Sequence, residues 1–518
     1  MHISIPRLNI PKPRLHPMRP IFTMFQRFQL TLLIVLAPYI LNAGNQFIAQ
    51  DYPHQITPYA EMINQLYDLN DDPYFTLENA GESTEGLVLW LLKIAKPNQD
   101  IKTRIFFYAQ QHGNEPAGKE ALLYLANSIR ENHKVLPRGV ELWLMPMVNP
   151  DGGEKDQRRN AVGADINRDH MTLDQPETIA LHQAFRSIRP HVSIDCHEFG
   201  RDSDDYLSQG WIEWPEIMMD YANSPFLEDK IIQQGAFLVA RMEKAMLNKE
   251  IKFHRYFVGG VPPDGEQRFS APDIDGGLNG AAMYGGLSFI IEAGVYRKNN
   301  EDNHDLPRRV YNYTELLFEV LSDKTLLKQA RTLFPDKTKF RPLLWAPTNY
   351  FWARLDKSVE HIPVINKTTH EEMLINAPNF MTDLVIKKRV AVPEAYLIGE
   401  SHAQAFRTLL TNHGIPFNVI SVPVDLVVEY CTLDTIESKF DEMYHRYGGR
   451  AVVSREKANQ VKVDAGSLLV ALSPVNAQKV LALLEPQLMY GLYQYPTYAN
   501  MVADNGRLPV ARVISKAQ

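Results

Sequence analysis

Residues 105–126, IFFYAQQHGNEPAGKEALLYLA, decide the fold. Residues 105–109 form a short apolar run rich in aromatic side chains, which predicts a buried strand. Residues 117–126 carry apolar side chains at helical spacing, and Pro116 suits the first turn of a helix, where its missing N–H is no loss. His112 and Glu115 are therefore expected where a central strand ends and a helix begins.

His112 and Glu115 are candidate metal ligands. Side chains three residues apart at the start of a helix can converge on one point. One imidazole and one carboxylate can fill two positions of a tetrahedral zinc, and binding sites in open α/β sheets lie at the carboxyl ends of strands. The pattern His-x-x-Glu also occurs in polar loops that cap helices, so other parts of the chain must decide between these readings.

The overall composition is that of a globular protein. The chain has 518 residues, of which 45% are hydrophobic and 22% charged, and its net charge is −7. The length suggests two to four domains. There is no block of like charges, so nothing indicates a nucleic-acid partner.

The amino terminus predicts export. Residues 1–29 contain five basic and no acidic side chains, and residues 30–43, LTLLIVLAPYILNA, are apolar. This run is short for a membrane span and Pro38 interrupts it, which favours a signal peptide over residues 1–43 with cleavage near Ala43. The expected location is secreted or periplasmic, with no stable membrane insertion after cleavage. An uncleaved anchor is the alternative.

Alternating strand and helix patterns follow the opening motif and predict an α/β protein with a parallel or mixed sheet. Residues 324–342 are rich in charged and turn residues and are interpreted as a boundary. Residues 345–518 are expected to form a smaller C-terminal α/β domain, which carries no recognisable chemistry. Cys196 ends an apolar run and is expected to be buried, without a bridge to Cys431. The expected elements before the boundary are strands at 86–95, 140–148, 191–196 and 287–293 and helices at 59–69, 177–188, 231–248 and 314–321.

Two further residues end apolar strands. His197 follows the run HVSIDC, and a second imidazole beside His112 and Glu115 would leave a fourth position open, as in catalytic zinc sites. Glu292 stands near the end of LSFIIEA, where a carboxylate beside a metal site suits a general base. Taken singly, each could be an ordinary polar residue at a strand end or a paired carboxylate.

Residues 158–169, RRNAVGADINRD, are dense in polar groups. Arg168 offers a planar fork that can grip a carboxylate at two points, and Asn167 can add a donor. Arg158 can polarise a carbonyl oxygen. Asp165 could orient His112 by accepting the proton of its second ring nitrogen. A solvated loop is the alternative reading of this segment.

Taken together, these motifs resemble a known family. His112-x-x-Glu115, the turn Asn149-Pro150-Asp151-Gly152, Arg158-x-Asn160, Asp165-x-Asn167-Arg168, His197 and Glu292 stand in the order found in zinc metallocarboxypeptidases of the carboxypeptidase A type. The resemblance covers roughly residues 52–325, and the C-terminal part resembles the accessory domain of some long bacterial members. It implies a mixed eight-stranded sheet between helices.

The resemblance also implies residue roles. The ligands of one zinc ion would be His112, Glu115 and His197, and Glu292 would be the general base. Asn167 and Arg168 would hold the C-terminal carboxylate of the substrate. Arg158 would stabilise the oxyanion, with Arg159 as a substitute.

The chain departs from the family pattern before the base. Family members carry a tyrosine on a mobile loop some twenty residues before the general base, but residues 268–277, RFSAPDIDGG, contain none, and neither Tyr256 nor Tyr284 is at the matching position. Asn279, just past this segment, is expected in the specificity pocket and argues against a purely apolar preference.

The leading hypothesis is an exported zinc carboxypeptidase whose substrate is a peptide with a free C-terminal carboxylate. A second hypothesis is an N-acyl amino acid deacylase of the aspartoacylase and succinylglutamate desuccinylase type. Those enzymes resemble this chain in the motifs His112-Gly113-Asn114-Glu115 and Asp165-x-Asn167-Arg168. A third is a non-catalytic secreted binding module.

Overall fold

The computed structural model describes residues 49–298, 304–334, 344–356, 358–435, 440–441, 446–447, 452–456, 459–473, 476–488 and 490–514. The expected signal peptide, residues 1–43, lies outside them. In this part of the chain no helix is both long and apolar enough to cross a membrane.

The first part of the chain supplies a sheet and the helices that cover it. Its strands are β1 (Phe75–Glu82), β2 (Val88–Ala95), β3 (Thr103–Ala109), β4 (Val140–Met145), β5 (Val192–Gly200), β6 (Trp211–Glu213), β7 (Ile217–Tyr221), β8 (Phe253–Arg255), β9 (Phe257–Gly259), β10 (Gln267–Phe269) and β11 (Leu287–Val295). Its helices are α1 (Tyr59–Asn70), α2 (Ala117–Glu131), α3 (Pro150–Gly153), α4 (Pro176–Ile188), α5 (Asp204–Ser208), α6 (Asp229–Asn248), α7 (Gly277–Ala282), α8 (Leu306–Ser322) and α9 (Lys324–Leu333).

Eight strands form the main sheet in the order β1-β2-β4-β3-β5-β11-β7-β8. The four central strands, β4, β3, β5 and β11, run parallel. The pairs β1–β2, β2–β4 and β11–β7 are antiparallel, and β7 pairs in parallel with β8. The sheet is therefore mixed, and the carboxyl ends of its central strands meet at one edge. The expected eight-stranded mixed sheet between helices is confirmed.

Strand β3 shows why the sheet is covered on both faces. Ile105 and Phe107 pack in the larger cluster with residues of α1, α2, α6 and α8, while Phe106 and Tyr108 pack on the other face with residues of α4. All four side chains are fully buried. A parallel strand with helices on both sides reads as a continuous apolar run, as residues 105–109 do.

Most expected elements are present, with shifted ends. The helix expected at 314–321 begins earlier, at Leu306, and Pro307 lies in its first turn. The segment expected as a boundary, 324–342, begins with helix α9, which buries Leu326, Leu327 and Ala330. Both cysteines are buried free thiols.

The C-terminal part forms a second α/β arrangement. Its six-stranded sheet has the order β18-β25-β17-β26-β19-β24, and β13 and β15 pair with β6 and β10 of the first part. The division into domains at 52–325 and 345–518 stays a prediction. The elements are β12 (Trp345–Ala353), β13 (Glu360–Asn366), β14 (Glu372–Ala377), β15 (Phe380–Met381), β16 (Asp383–Ala391), β17 (Ala395–Ile398), α10 (Ala403–His413), β18 (Asn418–Val419), β19 (Val424–Glu429), β20 (Cys431–Thr435), β21 (Phe440–Asp441), β22 (Arg446–Tyr447), β23 (Val452–Arg455), β24 (Asn459–Val463), β25 (Leu468–Ala471), α11 (Ala477–Leu484), α12 (Pro496–Ala499) and β26 (Val510–Val513).

A buried ion pair joins three elements beside the carboxyl edge of the sheet. Glu198 of β5 accepts a hydrogen bond from the backbone N–H of Ala117, 2.6 Å away at the start of α2, and pairs with Arg309 of α8. Arg309 also contacts Asp305 at 2.9 Å. The Glu198 and Arg309 side chains are 1% and 2% exposed, so water cannot replace either partner.

We expect Arg309→Met to lower the free energy of unfolding by about 3–5 kcal/mol, because it leaves the Glu198 carboxylate buried without its cation. The neighbouring Arg308 is a matched control. It pairs with Glu216 at 2.8 Å, but its side chain is 30% exposed, so Arg308→Met should cost only about 0–1 kcal/mol. Urea unfolding of both variants measures the difference, and equal losses would contradict this account.

Candidate metal and substrate site

His112, Glu115 and His197 converge at the carboxyl edge of the central strands. His112 and Glu115 lie between β3 and α2, and His197 lies on β5, next to β3. The His112 and His197 Nδ1 atoms are 3.1 Å apart, and the Glu115 carboxylate oxygens lie 2.9 Å from each. Among the described residues this is the one group of three or more such side chains arranged to hold a metal ion.

Carboxylates behind the two rings set which nitrogen carries the proton. The Nε2 atom of His112 lies 3.3 Å from Asp165 Oδ1, and that of His197 lies 3.0 Å from Asp195 Oδ1. An ionised carboxylate only accepts hydrogen bonds, so the Nε2 atom of each ring carries a proton. The two Nδ1 atoms then face the Glu115 carboxylate, where a proton or a metal ion is needed between them.

Zinc fits this donor set. Ligands at the corners of a tetrahedron with bonds of 2.0–2.1 Å are about 3.3 Å apart, close to the separations seen here. The set of two imidazoles and one carboxylate leaves a fourth position for water or substrate, which is typical of catalytic zinc. His112, Glu115 and His197 are thus brought together as their sequence positions predicted.

The electrostatics of the group also favour a cation. Burial would lower the pKa of His197, but the carboxylates of Asp195 and Glu115 raise it well above its ordinary value. Burial would raise the pKa of Glu115, but His112 and His197 hold it well below its usual range. Negative charge therefore dominates around His197, and a proton or a metal ion must offset it.

Glu292 faces the same site from the next strand. It is the register partner of His197 in the parallel pair of β5 and β11, so the two side chains lie on the same face of the sheet. Burial raises the pKa of Glu292 to about 8, and Glu115 adds to this effect while His197 opposes it. Burial and the neighbouring Glu292 carboxylate raise the pKa of Tyr256, between β8 and β9, well above its ordinary value.

A cavity of about 290 Å³ opens in front of the metal group. Phe199, Tyr256 and Ile290 form apolar parts of its wall, and Ser270, Asp273 and Asp275 add polar ones. Seven of the residues singled out from the sequence line it: His112, Glu115, Arg158, Asn167, Arg168, Asn279 and Glu292.

Arg158 lies beside the metal group, whereas Arg159 does not. The Arg158 guanidinium contacts Asp165 Oδ2 at 2.9 Å and His112 Nδ1 at 3.1 Å. Arg159 instead donates to the Gly163 carbonyl at 3.0 Å and is absent from the cavity wall. Asp165 thus contacts both His112, a candidate metal ligand, and the neighbouring Arg158. Burial would raise the pKa of Asp165, but these contacts hold it well below its usual range.

Asn167 and Arg168 line the cavity, and Asn167 lies beside His197. Asn167 is 7% exposed, and its amide oxygen accepts a hydrogen bond from the Gly277 N–H at 2.7 Å, while its amide nitrogen lies 3.2 Å from His197 Nε2. One guanidinium nitrogen of Arg168 donates to the Asn167 carbonyl at 2.7 Å. The structure brings both residues to the cavity, and their contact with substrate stays a prediction.

Asn279 lines the cavity with a fully engaged amide. Its oxygen accepts from the backbone N–H groups of Asn223 and Ser224, and its nitrogen donates to the Ala271 carbonyl and to the Asn223 side chain. These contacts fix the loop that forms the wall. Its role in selecting a substrate side chain stays a prediction.

The turn Asn149-Pro150-Asp151-Gly152 supports the metal-binding loop. Asn149 accepts from the Gly152 N–H at 3.0 Å and donates to the Gln111 carbonyl at 3.2 Å. A Cβ atom at Gly113 would lie only 2.2 Å from the Gly152 carbonyl carbon. Position 113 therefore accepts no side chain, because the two backbones touch there.

Comparison with known proteins identifies the family. Residues 62–202 match the family model described as zinc carboxypeptidase. Over 406 residues the chain is 36% identical to carboxypeptidase 2 of Trichophyton rubrum, in an alignment that covers 74% of this chain and 72% of that protein. The chain belongs to the zinc carboxypeptidase family.

Other relatives match over shorter stretches. Carboxypeptidase SOL1 of Arabidopsis thaliana is 36% identical over 139 residues, which is 23% of this carboxypeptidase and 28% of that protein. A metallo-carboxypeptidase from Pseudomonas aeruginosa, solved in complex with (2-guanidinoethylmercapto)succinic acid, is 20% identical with a TM-score of 0.40, covering 52% of this chain and 70% of that chain. The protein is thus a zinc metallocarboxypeptidase, with zinc as its cofactor.

Sequence reasoning missed three residues of this carboxypeptidase site. Asp195 precedes His197 by two residues on β5. Side chains two residues apart on a strand lie on the same face, so the sequence could have indicated that Asp195 lies beside His197. Gln111 contacts Asp195 at 2.9 Å, and Tyr256 reaches Glu292. No sequence pattern marks either residue. Gln111 looks like a loop residue beside His112, and Tyr256 lies between two strands of three residues each, which are too short to predict.

The raised pKa of Glu292 predicts a pH-dependent stability in the zinc-free enzyme. Between pH 4.5 and about 8 the unfolded chain releases this proton and the folded chain keeps it. The stabilising contribution is therefore complete below pH 4.5 and lost as the pH rises to about 8. Glu292→Gln has no such proton. Its free energy of unfolding, relative to that of the wild type, should therefore rise by about 2 kcal/mol or more between pH 5 and pH 8.

Urea unfolding of both zinc-free proteins at the two pH values measures this difference. A constant difference between wild type and variant would show that Glu292 is ionised throughout this range.

Proposed function

We propose that this protein is an exported zinc carboxypeptidase that hydrolyses the C-terminal peptide bond of its substrates. The observation that carries the proposal is that one cavity is lined by His112 and Glu115 of the metal group, by the buried carboxylate of Glu292, and by Arg158 and Arg168 among its three arginines. Export is proposed from the basic and apolar pattern of residues 1–43.

Arg168 would recognise the free end of the substrate. A guanidinium pairs with a carboxylate at two points, which a blocked chain end cannot offer. The hydrogen bond that Arg168 donates to the Asn167 carbonyl limits the orientations of the guanidinium. A carboxylate held there would place the terminal peptide bond, rather than an internal one, beside the metal group.

Glu292 would carry the proton. Its carboxylate is buried beside the metal group, and Tyr256 lines the same cavity. It would accept a proton from the attacking water and pass it to the nitrogen of the leaving amino acid. Zinc, when bound, would supply Lewis-acid activation to the scissile carbonyl and to water.

Arg158 would stabilise the charge that develops on the carbonyl oxygen. Its guanidinium is held by Asp165 and lies within 3.1 Å of the His112 ring. A cation fixed beside the metal group needs little rearrangement when charge develops, which is the source of electrostatic stabilisation.

The alternatives receive less support. A deacylase would share the metal group, but the family match and the identity to carboxypeptidase 2 favour the peptidase. A binding module would not need a buried general base, and here Glu292 stands beside the metal group.

The test uses paired peptides with free and amidated C-termini. We expect rapid hydrolysis of the free peptides only, because the amide has no carboxylate for Arg168. Arg168→Ala should lower kcat/KM on free peptides by about 100-fold, the value of hydrogen bonds to a charged group, and raise KM. Arg168→Lys should restore little, since a point charge lacks the fork.

Arg159→Ala is the matched control, because this side chain lies outside the cavity and should leave the rates unchanged. Equal rates on free and amidated peptides would contradict an exopeptidase. Hydrolysis of N-acyl amino acids without peptide cleavage would favour the deacylase.

A further inference from the structure

A chain of buried hydrogen bonds leads away from the metal group, beginning at His197. Asp195 contacts His197 Nε2 at 3.0 Å, and both Asp195 oxygens accept from Gln111 Nε2 at 2.9 Å. Gln111 Oε1 lies 2.8 Å from His170 Nε2, and His170 Nδ1 lies 3.0 Å from His182 Nε2. The chain ends where His182 Nδ1 meets the Tyr284 hydroxyl at 2.8 Å.

The donors and acceptors of this chain can be assigned in one direction. The Gln111 amide nitrogen faces Asp195, so its oxygen faces His170, and His170 must donate from Nε2. A neutral His170 then accepts at Nδ1 from His182 Nε2–H. His182 accepts in turn at Nδ1 from the Tyr284 hydroxyl.

This assignment requires both histidines to be neutral, since a protonated ring donates from both nitrogens. Burial lowers the pKa of His170 to about 4 and that of His182 well below its ordinary value. Gln111, His170 and His182 are at most 1% exposed, so no water competes for these bonds.

We infer that Gln111 and His170 are positioning residues for zinc. They hold Asp195 where it accepts a hydrogen bond from His197 Nε2–H. That hydrogen bond keeps the Nδ1 lone pair of His197 directed at the metal. The inference rests on the ligand set of the proposed function. It assigns Gln111 a role through its side chain, independent of its place beside His112.

Close packing holds the Asp195 and Gln111 side chains in fixed positions. A Cβ atom at Gly277 would lie 2.2 Å from Asp195 Oδ2 and 2.7 Å from Gln111 Nε2. The N–H of the same glycine donates to Asn167 at 2.7 Å. The first residue of α7 therefore closes over the Asp195–Gln111 pair, and the absence of a side chain there lets it do so.

The competing interpretation is a buried polar network that only stabilises the fold. The two interpretations differ in zinc affinity. Hydrogen-bond partners behind a metal ligand typically change metal affinity by 10–100-fold when they are removed. A purely structural network would change the unfolding midpoint and leave zinc affinity unaltered.

The experiment measures zinc affinity of the zinc-free full chain by competition with a chelator. We expect Gln111→Met to weaken zinc binding by about 10-fold, because Asp195 loses its donor. His170→Leu should weaken it in the same direction. His170→Gln should restore most of the affinity, because its amide nitrogen can donate from the position of Nε2.

The matched control is His191→Gln. His191 is also buried and precedes the same strand, β5, at the end opposite His197, where its Nδ1 accepts from the Arg104 N–H at 3.1 Å. Its replacement should leave zinc affinity unchanged, whatever it does to the unfolding midpoint.

Wild-type zinc affinity in Gln111→Met would overturn the inference. If that variant fails to fold, NMR of ¹⁵N-histidine-labelled wild type decides instead. The inference expects a neutral His170 with its proton on Nε2, and a proton on Nδ1 would overturn it. Zinc retained in full by His197→Ala would instead reject the ligand set, which separates that failure from failure of the inference.

Discussion

Two histidine nitrogens that face each other at 3.1 Å, with a carboxylate 2.9 Å from each, are the constraint on which the site depends. Each ring donates a hydrogen bond from Nε2 to a buried aspartate, so both Nδ1 atoms point at one place. Such a cluster is costly to bury without a cation. The strands, helices and loops around the site hold these three side chains together.

The parallel centre of the sheet provides the framework. Strands β3, β5 and β11 end at one edge, so the loop with His112, the strand end with His197 and the Glu292 carboxylate meet without long connections. Glu198 then ties this edge to helices α2 and α8 through Ala117 and Arg309. Close packing against backbone at Gly113 and against the Asp195 and Gln111 side chains at Gly277 leaves no room for displacement.

Much of the site could be predicted because its residues sit at the ends of recognisable elements. The run 105–109 is apolar because both faces of β3 are covered, and this apolar run alone marks His112 as a residue that follows a strand end. His197 and Glu292 follow the same logic. The early start of α8 was missed because Pro307 and Asn312 are turn residues within it. Helix α9, KTLLKQARTL, was missed because it was grouped with the turn residues that follow it in the sequence.

The remaining contacts depend on tertiary structure. Nothing local links Gln111 to His170, His182 and Tyr284, which are 59 to 173 positions away in the chain. Tyr256 reaches Glu292 from a bend between two short strands, although it is not where the family's tyrosine would be expected. Asn279 was expected to contact substrate, but its amide is engaged with the backbone of its own wall.

The most direct test of the zinc assignment is anomalous diffraction from crystals of the full chain, recorded above and below the zinc absorption edge. The account predicts one strong zinc peak within about 2.0–2.2 Å of His112 Nδ1, His197 Nδ1 and a Glu115 oxygen. A zinc peak elsewhere, or none at this group in zinc-loaded active protein, would contradict it.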